Sequence, residues 1–183
     1  MAENKQQMNF SIFEQPVKVI PTFVEKENTG KPYINYGVDN RFPNYLWDLY
    51  MRSALLQSIV NGTADYANGN GITYSDNPNV QRLAYNANKD GETLEDIINK
   101  ITIDYLVFGG FAFQVIYNKM GEVNEIYWLD FRNCRRSKEG DKIYYSDDWI
   151  KHSNDFITYD IFDHEKKKGS QVFYFKGHIS RGI

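Results

Sequence analysis

The sequence predicts an α+β fold, on three observations. Apolar residues recur at spacings of three and four between Pro43 and Phe108, the period of helices buried on one face. From Phe111 onward the pattern changes to short runs rich in Tyr, Phe, Ile and Val, separated by turn residues. All five prolines lie at or before Pro78, so none interrupts the strand-like half. Helices over about 43–108 and then a mainly antiparallel sheet over about 111–176 are the expected arrangement.

Taken in order, residues 1–38 hold Pro16, Pro21 and Pro32 among Lys, Glu and Asn with no sustained period. Proline fixes φ and removes a donor, so this segment reads as an extended arm lying on another surface, or as a partly disordered terminus. The α+β domain then occupies 39–183. From Pro43, the side chains of Leu46, Leu49, Tyr50, Leu56, Ile59 and Val60 form one stripe with Ser53 and Ala64, which gives one helix of roughly 20 residues. Gly69, Asn70 and Gly71 stop it, because Gly and Asn tolerate the left-handed cap conformation. Asn77-Pro78 opens a short helix that turns Val80, Leu83 and Ala84 inward. Thr93, with Asp96 three residues later, is placed to cap the next helix, whose inner face is Ile97, Ile98, Ile101, Tyr105 and Phe108. Gly109 and Gly110 make a hinge into the strand Phe111–Tyr117. Lys119-Met120-Gly121 reads as a hairpin turn into a strand ending near Asp130. Lys142–Tyr145 is a further strand. Ile157–Phe162 and Gln171–Lys176 read as a second hairpin around a charged turn.

Composition narrows the classes of function. A chain of 183 residues with 42% apolar and 25% charged residues can build a core without disulfide or metal staples. A net charge of −3 argues against a dedicated nucleic-acid binder, which would show a basic patch and a high pI. The lone Cys134 allows no intramolecular disulfide and fits a reducing compartment. No run of apolar residues is long enough to span a bilayer, so no membrane association is expected. Aromatic residues reach 16%, led by 14 Tyr and 12 Phe. Such a surplus suits half-buried sheets and subunit contacts, where one end of the ring is dry and the other wet.

Motifs for catalysis are missing. There is no Walker A glycine-lysine loop, and the glycines at 62–71 follow a helix, not a strand, so they fit no dinucleotide loop. His152, His164 and His178 lack metal-ligand spacing. Asp147-Asp148 reads as a solvated turn, and no spacing rule selects Asp160, Asp163 and Glu165 as acid and base. Cys134, if exposed beside Arg132, Arg135 and Arg136, would have a lowered thiol pKa. No enzyme and no cofactor are expected. The basic cluster Arg132, Arg135, Arg136 and Lys138 is the clearest candidate for contact with a neighbouring subunit or with DNA phosphates. Lys166-Lys167-Lys168 reads more simply as a soluble turn. Tyr45, Trp47 and Tyr50 are candidate exposed aromatics.

The junction residues resemble a known family. Asn40, Pro43, Leu46, Leu49, Tyr50 and Ser53 open a helix that ends in Gly69-Asn70-Gly71-Ile72. Leu106-Val107-Phe108-Gly109-Gly110-Phe111 leads to Ile116, Gly121 and Ile126-Tyr127-Trp128-Leu129-Asp130, then to Arg132–Arg136 and Ile143-Tyr144-Tyr145. Over roughly residues 36–146 this order resembles the amino-terminal part of tailed-bacteriophage portal, or head–tail connector, proteins. The resemblance implies a portal wing-like α+β domain that stops before the stem and clip of the longer family members. It also implies a structural role in a closed ring, typically a dodecamer, at the capsid vertex, through which double-stranded DNA is packaged and ejected without sequence-specific contact. Partners would be other copies of the chain, capsid protein, the packaging motor and tail adaptor proteins. The location would be the virion, after assembly in the host cytoplasm. Two rival readings stay open: a stand-alone Tyr-rich sheet that binds carbohydrate or peptide, and an unrecognised hydrolase using the acids at 160–165.

Overall fold

The computed structural model describes residues 24–177, and the fold is α+β. A hairpin of β1 (Glu25–Glu27) and β2 (Ile34–Tyr36) precedes four helices, α1 (Phe42–Arg52), α2 (Ala54–Asn68), α3 (Pro78–Tyr85) and α4 (Leu94–Phe108). The sheet strands follow: β3 (Gly110–Tyr117), β4 (Val123–Leu129), β5 (Cys134–Arg136), β6 (Lys142–Tyr145), β7 (Ile157–Ile161) and β8 (Ser170–Lys176). Their spatial order is β4-β3-β8-β7-β6-β5.

Within the described part of the predicted arm, residues 33–37 are buried against the domain, while β1 is exposed. β1 pairs antiparallel with β2, and Tyr33, Ile34 and Tyr36 are buried. Tyr33 packs on Trp149 with ring centroids 4.6 Å apart and donates its hydroxyl to Ser153 O. Three-residue strands are too short to show a period of two against their Lys and Asn neighbours. Residues 1–23, the rest of that arm, lie outside the described residues.

The single long helix is also corrected. Ser53 has extended backbone (φ −114°, ψ 102°) and ends α1, while its Oγ accepts from Leu56 N and starts α2. The apolar stripe runs across this break because serine at an N-cap restarts a helix without shifting the period much. Only Val60 and Ala64 of α2 are buried. At α4 the expected capping box is present, with Asp96 N bonded to Thr93 Oγ1 and Thr93 N bonded to Asp96 Oδ2. Ile97 and Phe108 face inward, whereas Tyr105 is exposed. In α3, Ala84 is buried and Val80 is not.

β3 and β4 form the expected hairpin, with Gly121 at φ +79° in the turn. The second hairpin does not exist: β7 and β8 run parallel, meeting at Asp160↔Gln171 and Ile161↔Val172. β8 is captured instead by β3, along an antiparallel ladder from Gly110↔Lys176 to Ile116↔Ser170. That longer ladder fixes the direction of β8, and the loop at 162–169 turns back to allow it. Ala112, Leu129, Cys134, Ile143 and Val172 form the sheet's core. A second cluster of Ile34, Tyr36, Phe108 and Phe131 joins β2, α1 and α4 to it.

The α4–β3 junction is tight. Gly109 takes the left-handed conformation (φ 69°, ψ 19°) and its N–H closes the helix on Tyr105 O. A Cβ at Gly109 would meet nothing, but one at Gly110 would sit 2.7 Å from the Phe131 ring and from Phe175 O. Gly109→Ala should therefore lose about 1–2 kcal/mol, the left-handed penalty alone. Gly110→Ala should lose more, because an aromatic ring and a paired strand must both move. Urea melts of the two variants test this ranking; equal losses would remove the packing argument.

Candidate interface surfaces

The four basic residues singled out by sequence do not share one surface. Arg132 chelates Asp130 through Nε and Nη2, and its guanidinium lies 4.4 Å from the Trp47 ring centroid. Lys138 donates to Asn28 O at 3.0 Å and ties β5 to the β1–β2 turn. Arg136 is exposed and, with Lys176 and Glu25, lines a cleft of about 380 Å³. Arg135 is 0% exposed and reaches neither subunit nor DNA, which corrects its candidacy.

Arg135 is buried because strand alternation turns it away from Arg136, toward Tyr36 and Trp149. Its Nε donates to Asn40 Oδ1 at 2.6 Å, Nη2 to Asn40 O at 2.9 Å, and Nη1 to Arg132 O and Cys134 O at 2.7 Å each. The ring centroids of Tyr36 and Trp149 lie 4.8 and 5.2 Å from the guanidinium carbon. Burial lowers its pKa to about 10, which leaves it charged at neutral pH. Oxygen acceptors and ring faces do here what a carboxylate does in an ordinary buried pair.

The aromatic candidates in α1 are packing groups. Tyr50 is buried and donates to Asn61 Oδ1 at 2.8 Å, which corrects its expected exposure. Trp47 is half-buried between Arg132, Phe108 and Tyr50. Tyr45 is half-buried against Phe42. The exposed apolar side chains lie further on, in α2: Leu55 at 73%, Ile59 at 56% and Tyr66 at 89%. Gly69, Asn70 and Gly71 terminate this helix as expected, with Gly69 N on Asp65 O and Gly71 at φ +91°. Gly109 and Gly110 stand at the helix–strand boundary, where Gly177 N donates to Gly109 O at 2.7 Å and closes the junction.

Reactive groups do not converge. Asp147 bonds His152 at 2.9 Å on the open surface, and Asp148 accepts from Ile150 N and Lys151 N, as in a solvated turn. Asp163 accepts from Glu165 N within the β7–β8 loop, while Asp160 stands exposed on β7. Among the described residues no three His, Cys, Asp or Glu are grouped to hold a metal ion. Cys134 is buried, and its thiol pKa is pushed up by desolvation, the reverse of the shift expected for an exposed thiol. His178 lies outside the described residues. A shallow groove of about 680 Å³ between α2 and α4 has Asp65, Glu95 and Asp96 on its walls, and Glu95 is engaged by Ile72 N and Tyr74.

One buried acid escaped sequence reading. Asp104 sits on the inner face of α4, between Ile97 and Phe108, and its Oδ2 accepts from Trp128 Nε1 at 2.8 Å and Phe131 N at 3.4 Å. The helical stripe was the available signal, since Asp104 falls at seven residues from Ile97 and four from Phe108. Burial raises its pKa to about 7, against the Trp128 bond and with help from Asp130. No protein-family model matches the chain, and no curated protein matches it.

Two expectations follow from these buried groups. Arg135→Met keeps volume but strands the oxygens of Asn40, Arg132 and Cys134, and should lose about 3 kcal/mol or more in urea unfolding. A loss below about 1 kcal/mol would show that the guanidinium is not structural. For Asp104, the folded chain keeps a proton that the unfolded chain releases near pH 4, so stability falls as pH rises from about 4 to about 7. Asp104→Asn keeps an acceptor for Trp128 and removes the titration, and should flatten that decline, by an amount on the order of 2–4 kcal/mol at pH 8. Parallel pH–stability curves for the two proteins would refute it.

Proposed function

We propose that this chain is a wing-region building block of a tailed-phage portal ring, a structural protein that works by contact and shape and not by turnover. The observation that carries this reading is α2. Its 15 residues include a single charged side chain, Asp65, and its outward row is aliphatic and aromatic. Helices on the surface of monomers carry a charged outer face, and one apolar on two faces is built to be covered. Of the side chains with strongly shifted pKa values, Asp104, Cys134 and Arg135 serve packed junctions and line no cleft, while Tyr36 and Tyr174 hydrogen-bond each other beside the Arg136 cleft. That supports a scaffold over an enzyme.

The order of elements supports the portal reading further. A helix ends at left-handed Gly109 and enters strand β3 directly, as the family resemblance requires of residues 106–111. Identical copies joined by unlike surfaces close into a ring, which in the virion would contact capsid, packaging motor and tail adaptor and pass double-stranded DNA. A net negative charge suits a conduit, because each added cation would hold the phosphates back. Among the described residues no helix is long and apolar enough to cross a membrane. Of the tyrosines on the strands of the rival module's sheet, Tyr144 is buried and Tyr117, Tyr127, Tyr145, Tyr159 and Tyr174 are half-buried, so none stands out as a fully exposed ring, which gives that reading little support.

Sedimentation of the full-length gene product, with imaging of particles, tests the reading. A ring-shaped oligomer near twelve copies is expected. A monomer at all concentrations, or turnover of a glycan or peptide, would overturn it.

A further inference from the structure

Single apolar side chains such as Val38, Tyr85 and Met120 are also exposed elsewhere, but α2 exposes four of them, Leu55, Leu56, Ile59 and Tyr66, on a helix held along a narrow seam. Val60 and Ala64 are its buried side chains, and its other ties are polar: Asn68 to Asn99, Thr102 to Asn68, and Tyr50 to Asn61. Leu55, Ile59, Gly62 and Tyr66 follow at four, seven and eleven residues from Leu55, which places them on one helical face. A Cβ at Gly62 would meet nothing within 4 Å, so the row has a shallow step between two bulky residues. Tyr66 has no described ring or hydrogen-bond partner.

The chemistry of this face limits what covers it. A membrane-surface helix needs Lys or Arg on its flanks, and a nucleic-acid contact needs them at its centre. Residues 54–68 contain neither. A protein surface of low charge remains. Leu55, Leu56, Ile59 and Tyr66 together expose roughly 500 Å² of mainly apolar area, at the upper end for a stray patch and over half of the about 800 Å² that each partner contributes to a standard interface.

The chain itself offers a second surface of that kind. Tyr105 and Leu106, in the last turn of α4, are exposed, and that turn has no basic residue. Tyr105 lies 6.1 Å from exposed Phe175, which stacks on Phe111 at 5.4 Å. Phe111, Phe113 and Phe173 continue the stack on β3 and β8, giving the patch a rigid aromatic floor. Aromatic rings and an aliphatic row with a glycine step are matched in polarity and in relief.

We propose that the outward face of α2, Leu55, Ile59 and Tyr66, seats on the Tyr105–Phe175 patch of a second copy. The proposal rests on the ring reading and names its contact. Because the two surfaces differ, the contact is heterologous, and repeated association closes a ring or runs on as a filament.

Cysteine capture tests the pairing on the full chain, where Cys134 is buried and does not interfere. A Tyr66→Cys chain and a Tyr105→Cys chain are mixed, oxidised mildly and mapped. Disulfide between the two variants, with little within either alone, is the expected result. Disulfide predominantly within the Tyr66→Cys chain would mean that α2 meets α2, and would overturn the heterologous pairing. In parallel, Ile59→Lys buries a charge at the centre of the contact and should raise the association midpoint about tenfold or more, with the thermal melt of the monomer unchanged. Rings that form at wild-type concentrations with Ile59→Lys overturn this contact and leave the ring reading standing. Wild-type protein that never associates overturns both.

Discussion

A guanidinium removed from water, with no carboxylate in reach among the described residues, is the constraint on which much of this molecule depends. Leaving such a charge unsatisfied costs several kcal/mol, so the chain around Arg135 has little freedom. Asn40 supplies both its backbone and its side-chain oxygen, Arg132 and Cys134 supply carbonyls, and Tyr36 and Trp149 supply ring faces. Three separate stretches of sequence, at residues 36–40, 132–134 and 149, are thereby held around one group. Asn40 also accepts from Tyr36 N and sits at φ 60°, a conformation that asparagine tolerates better than most residues. The next residue, Arg41, is the N-cap of α1 and has no side-chain cap of its own. The start of α1 is therefore set from outside the helix, by the Arg135 bonds to Asn40. Through the Ser53 break, the same bonds bear on where α2 points.

The other end of the helical layer is fixed by a different device. Asp104 on α4 joins Trp128 on β4 to the backbone of Phe131, and the Phe131 ring fills the space that a side chain at Gly110 would need. Phe131 in turn stacks on Phe108, Tyr36 and Tyr174, so the helix, the sheet and the amino-terminal hairpin share one aromatic ring as their meeting point. A neutral Asp104 suits this place better than a charged one. The site is nearly dry, and its two donors are an indole and an amide, neither of them a cation.

How much of this was legible follows from what a linear pattern can carry. The capping box at Thr93 and Asp96, the glycine stops after α2 and α4, and the β3–β4 hairpin are local signals, and the structure has each of them. The break at Ser53 was local too, but the apolar stripe continued across it and hid it. The parallel pairing of β7 and β8 was not legible, because it follows from competition: β3 takes β8, and the short loop between β7 and β8 must comply. Charged residues in a row read as surface. Arg132, Arg135, Arg136 and Lys138 looked alike in sequence, yet alternation and the Asn40 loop gave them four different surroundings. Tyr50 was misread for the same reason, since its hydroxyl partner Asn61 lies across the Ser53 break. The exposed face of α2 was visible as a stripe, but its side was misjudged: Leu56 and Ile59 looked like core.

That misjudgement has a physical meaning. Period alone cannot tell an apolar face turned to the chain's own core from one turned to a neighbour, because both answer to the same transfer free energy. The difference appears only in how the helix is attached. An ordinary surface helix is held by a broad apolar face and shows water a charged one. Here the attachment is two small buried side chains plus amide and hydroxyl bonds from Asn61, Asn68 and Thr102. Hydrogen bonds of this kind contribute about 1 kcal/mol each and are directional, so they orient a helix better than they stabilise it. A helix with a fixed direction and most of its apolar area still in water is a sound arrangement for a part that completes its burial on meeting another copy.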